Sequence, residues 1–75
     1  MKPIQDIIER ILDIIDDEEQ SNTLFLIECP DADTWIVSAI DKQGLTTISV
    51  AESDTLYSAF EMLAEIINED EHVIH

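Results

Sequence analysis

Asp6, Glu9, Asp13 and Asp16 recur every three or four residues, and Glu61, Glu65 and Glu69 every four, so each set falls along one face of a helix. Carboxylates at that pitch can act as acids and bases, ligate a cation, or simply present charge. Acid–base catalysis needs a few of them held in a pocket with their pKa values driven apart, and a convex helix face offers no pocket. The chain has no glycine-rich phosphate loop, no cysteine pair for zinc, and no Ser or Cys nucleophile with a His placed to activate it. His72 and His75, near Glu69 and Glu71, have the spacing of a zinc or nickel half-site, but a frayed polar chain end accounts for them without a metal. Glu28, Asp31 and Asp33 surround a tight turn, yet the calcium-loop pattern with its central glycine is absent. No catalytic residue, metal or cofactor is therefore expected, and charge presentation is left. The rise between successive acids, about 4.5 to 6 Å, approaches the ~3.4 Å phosphate repeat of one nucleic-acid strand.

The whole composition points the same way. Eighteen acidic residues stand against three basic ones, a formal charge of −15 on 75 residues, while apolar residues make up 45% and alternate with the acids. Such a chain folds rather than remaining a solvated tail. A magnitude of about 2 to 8 suffices for the solubility of a small domain, so the excess calls for another use. Bare nucleic acid and anionic membranes are repelled by this charge, and the expected partner is a basic protein surface, in particular that of a nucleic-acid-binding protein. The length suits one small domain over residues 1–75, with 70–75 as a frayed tail. Cys29 stands alone, which excludes an internal disulfide and suits a small buried hydrophobe in a reducing compartment. Neither a signal-peptide pattern nor an apolar run of membrane-spanning length occurs, so a soluble, cytoplasmic protein is expected.

The elements that must carry the acids follow from periodicity. Ile4, Ile7, Ile8, Ile11, Leu12, Ile14 and Ile15 repeat at helical spacing and predict a helix over residues 3–18, with Pro3 in its first turn. Asp6, Glu9, Asp13, Asp16 and Asp17 occupy its other face, and Asp16 to Glu19 crowd the C-terminal end, where the helix dipole disfavours anions. Arg10 is the only base among them, in reach of Asp6 or Asp13. After a linker at residues 20–22, strands are expected at 23–29, 34–40 and 45–50, separated by turns at Pro30–Asp33 and Asp41–Gly44, with Gly44 as the left-handed residue. Ser53 or Asp54 then caps a second helix whose apolar stripe is Leu56, Ala59, Phe60, Leu63, Ile66 and Ile67. Glu61, Glu65 and Glu69 lie opposite that stripe.

Helix, three-stranded antiparallel meander, helix describes a two-layer α+β domain, αβββα. Pairing across a four-residue first turn puts Phe25, Ile27, Ile36 and Ile40 on one side of the sheet and Leu24, Leu26, Trp35, Val37 and Ala39 on the other. Both sides are apolar. If both helices cover one side, the other is left as a dimer or client face, with Phe25, Ile27, Ile36 and Ile40 as its candidates and a homodimer as one outcome; if one helix lies on each side, no such surplus remains.

In size, charge and element order the chain from Ile4 to Glu69 resembles the small acidic inhibitors made by phages and other mobile elements, the DNA-mimic proteins that block restriction, repair or CRISPR nucleases. Some anti-CRISPR proteins are similar in running from a short helix through a three-stranded sheet to an acidic helix. The resemblance implies a class of partner, the nucleic-acid site of a basic enzyme, and carries over no functional residue. On the spacing of the chain's own acids, an inhibitor of that class would present Asp6, Glu9, Asp13, Asp16, Asp17, Glu61, Glu65 and Glu69 in place of phosphates. The alternative is a small dimeric acidic chaperone or adaptor that holds a client segment on an apolar sheet face. Acidic chaperones of type III secretion are similar in beginning with a helix and three strands.

Overall fold

A computed structural model describes residues 3–15 and 22–73 and has the expected αβββα order. Helix α1 spans Ile4–Ile14, strands β1, β2 and β3 span Thr23–Asp31, Thr34–Asp41 and Thr46–Ser53, and helix α2 spans Leu56–Val73. The strands form one antiparallel sheet in the order β1-β2-β3. Among the described residues no helix is long and apolar enough to cross a membrane.

Pro3 precedes α1 in extended conformation, and its carbonyl accepts from the Asp6 N–H at 3.0 Å. A proline at this point loses no helical hydrogen bond, because the first N–H groups of a helix have no partner within it. The helix ends earlier than its apolar period suggests. Ile15 has left helical geometry, with its N–H still donating to the Ile11 carbonyl at 3.1 Å. Asp16 to Ser21 lie outside the described residues.

Helix α2 begins at Leu56 because β3 continues to Ser53, which pairs with Trp35. Ser53 and Asp54 therefore do not cap it. That role belongs to Thr55, whose hydroxyl accepts from the Ser58 N–H at 3.1 Å while its carbonyl accepts from Ala59 at 3.0 Å.

Both hairpins differ from the expected turns, and one difference reverses a face. Closing Cys29 on Thr34 would pair Ile27 with Ile36. Instead Asp31 pairs with Thr34 around Ala32 and Asp33, and a bulge sets Cys29 and Pro30 against the single residue Trp35. Proline has no N–H for the ladder, and a bulge on an edge strand accommodates it. Ile27 now pairs with Val37 and Phe25 with Ala39. Since a slip of one residue moves every side chain to the other face, Phe25 and Ile27 join Trp35, Val37 and Ala39, while Ile36 and Ile40 join Leu24 and Leu26. The four residues expected on one dimer or client face are thus divided between two.

In the second hairpin Asp41 pairs with Thr46, so the loop is Lys42 to Leu45. The left-handed residue is Leu45, with φ 52, rather than Gly44. The return strand starts one position later than its apolar content indicates, and the positive φ moves with it. A bulge at Ile48 follows, where pairing passes from Ile40–Thr47 to Ala39–Ser49.

Helix α2 lies across β2 and β3, and α1 packs against α2. Ile7 and Ile11 of α1 meet Ala59, Phe60, Leu63, Ala64 and Ile67 of α2 and Val37, Ala39 and Ala51 of the sheet in one core. Two alanines in α2, Ala59 and Ala64, and two in the sheet, Ala39 and Ala51, bring the backbones close. Phe60 and Leu63 fill the remaining volume.

Candidate acidic interaction surface

Each helix buries one side and offers the other. On α1, Ile7, Ile11 and Leu12 are buried, and Asp6, Glu9 and Asp13 are exposed within about 60° of arc at 100° per residue. Arg10 is exposed beside them. On α2 the buried residues Ala59, Phe60, Leu63, Ala64 and Ile67 leave Glu61, Glu65 and Glu69 exposed along the opposite side, with Met62 among them. The expected site residues on the two helices thus form two rows, on helices that pack against each other. Asp16 and Asp17, expected to extend the first row, lie outside the described residues.

Register assembles a further acidic group that periodicity alone could not locate. Glu28, Ile36 and Glu52 stand abreast on β1, β2 and β3, so the two glutamates share the outer face about 10 Å apart, two strand spacings. Asp31, Asp33 and Asp54 follow at the same end of the sheet, and all five are exposed. Lys42 belongs to the hairpin at the opposite end. Among the described residues, no group of three or more His, Cys, Asp or Glu side chains is arranged to hold a metal ion, and Cys29 is exposed rather than buried. Its thiol donates to the Asp31 carbonyl at 3.1 Å across the bulge.

The outer face of the sheet is apolar between these charges. Leu24 stands beside Ile40, and Leu26, Ser38 and Val50 form the next row toward Ile36. Leu24, Leu26 and Val50 are exposed, whereas Ser38, in the middle of the central strand, is buried between its neighbours. No helix among the described residues covers this side.

The acids are solvated, convex and repeated, an arrangement that attracts a positive surface and can align it. Each row carries about one charge per 5 to 6 Å of helix, somewhat below the one per ~3.4 Å of a single nucleic-acid strand. Two rows on adjoining helices, with the sheet-end acids, narrow that difference. Compared with known proteins, the chain matches no family model, no characterised protein sequence and no solved structure.

Proposed function

We propose that this protein is an acidic ligand for the basic, nucleic-acid-binding surface of another protein, and that it inhibits that protein by occupying the site. The observation that carries the reading is the exposure of Asp6, Glu9 and Asp13 on α1 and of Glu61, Glu65 and Glu69 on α2, at a pitch near that of phosphates. The contacts would go to Lys and Arg, and the targets that fit are CRISPR, restriction or other DNA-binding proteins. Binding rather than catalysis is the activity, in keeping with acids that share no pocket.

Two measurements test it. Affinity capture at low salt, with elution along a salt gradient and identification by mass spectrometry, should recover a nucleic-acid-binding protein whose activity this chain then inhibits. The triple reversal Asp6→Lys, Glu9→Lys, Asp13→Lys should abolish inhibition while preserving the fold. Inhibition that survives the reversal, or affinity that hardly changes between low and moderate salt, rejects the proposal.

The bare outer face of the sheet favours a second reading, a chaperone or adaptor that holds a client segment against Leu26, Ile36 and Val50. Polar substitution of Leu26 and Val50 would then release the client, and reversal of the helix acids would leave it bound.

A further inference from the structure

Strand β1 is an edge of the sheet, and no strand among the described residues pairs with its outer side. The direction of its backbone groups follows from one bond. The Lys42 N–H donates to the Asn22 carbonyl at 2.8 Å, continuing the register in which Leu24 faces Ile40 and Leu26 faces Ser38. Hydrogen-bonded and non-hydrogen-bonded pairs alternate in an antiparallel ladder, so Leu24, Leu26 and Glu28 turn their N–H and C=O groups toward β2. Thr23, Phe25 and Ile27 turn theirs to the open edge.

The outer face of this strand is uncovered as well, and so is the inner face at Ile27, whereas Thr23 is buried and Phe25 half-buried against the core. Leu24 and Leu26 on the outer face are 46% and 47% exposed, and Ile27 on the inner face is 45% exposed, because α2 lies over β2 and β3. Edge strands are ordinarily blunted by lysine, proline or a bulge. Here the bulge and Pro30 come only after Glu28, and Thr23 to Ile27 carry no charge.

We propose that β1 pairs antiparallel with β1 of a second copy, joining two three-stranded sheets into one of six. With Phe25 opposite its own counterpart, the outward N–H and C=O groups of Thr23, Phe25 and Ile27 meet those of the partner. Leu24 then stands beside the partner's Leu26 on the outer face, where both are exposed, and the exposed Ile27 comes beside the partner's Thr23 on the inner face. Glu28 falls opposite the partner's Asn22. The two Glu28 carboxylates are then about 20 Å apart along the strands, roughly twice the Debye length at physiological salt.

A basic partner strand would find no carboxylate between Thr23 and Ile27 to select it, whereas a two-fold axis through Phe25 matches this segment to itself. The acid rows of α1 and α2 lie on the sides of the helices turned away from the core. The proposal is independent of what those rows bind.

Sedimentation equilibrium on the full chain at moderate salt should reveal a species of twice the 8.5 kDa chain mass. Amide exchange at Thr23, Phe25 and Ile27 should slow as protein concentration rises, with Val37 and Ala39 in the central strand protected throughout. The double variant Leu24→Lys, Leu26→Lys should weaken association about tenfold or more by setting lysines across the axis, with an unchanged far-ultraviolet circular dichroism spectrum. A chain that stays monomeric to hundreds of micromolar overturns the proposal. So does a dimer in which those three amides exchange independently of concentration, or one that dissociates with Val50→Lys, a residue of β3 away from the β1 edge, which would place the contact on the outer face. Should the double variant fail to fold, the concentration dependence of exchange in the native sequence decides alone.

Discussion

The ring of Phe25 in β1 meets the ring of Phe60 in α2 edge to face, with centroids 5.9 Å apart and planes inclined at 60°. This contact ties the edge strand to a helix that otherwise lies over β2 and β3. Phe60 is fully buried and Phe25 half-buried, so the pair contributes both area and the quadrupole preference for this geometry. A double-mutant cycle with Phe25→Leu and Phe60→Leu should give a coupling of about 0.5 to 1.5 kcal/mol in urea unfolding. A coupling near zero would mean that β1 is held by its ladder to β2 alone.

The cap of α2 gives a sharper test of where that helix begins. Thr55→Ala should cost about 1 kcal/mol, since it leaves the Ser58 N–H without its acceptor. Ser53→Ala should cost only a few tenths, because among the described residues its hydroxyl meets the neighbouring Asp54 carboxylate alone, at 3.3 Å. Equal losses would place the cap elsewhere.

Leu45 holds a left-handed backbone and is 80% exposed, so it bears conformational cost without packing in return. Leu45→Gly should stabilise the protein by up to about 1 kcal/mol, read as a rise in the urea midpoint with unchanged slope. Destabilisation by that substitution would show that the leucine side chain has a partner in solution.

Salt should move folding and target binding in opposite directions. Self-repulsion within a chain of net charge −15 weakens as ions screen it, so stability should rise on the order of 1 kcal/mol between about 10 mM and 500 mM sodium chloride. Affinity for a basic partner should fall across the same range. Parallel slopes would exclude the acid rows as the binding surface.

The sequence made the elements legible for definite reasons. The isoleucines of α1 and the stripe from Leu56 to Ile67 have a period that only a helix satisfies, and the acids between them are outward by the same period. What it hid depends on parity. Ile27 could pair with Ile36 or Val37 according to whether one residue is taken up before the turn, and local composition around Cys29 and Pro30 does not say which. The same uncertainty concealed the line Glu28, Ile36, Glu52, which exists only once both hairpins are in register. Thr55 and Leu45 were displaced from the expected cap and turn positions because β3 starts later and ends later than its apolar run.

The pair Cys29 and Pro30, set against Trp35, also confers tolerance to a deletion. Loss of either residue would convert the two-against-one step into an ordinary ladder rung, closing the same Ala32–Asp33 turn with every pair from Glu28 back to Thr23 unchanged. An equal loss anywhere between Phe25 and Ile27 would invert the segment N-terminal to it and carry leucines toward the helices. The first hairpin can therefore vary in length at one place without exchanging its inside for its outside.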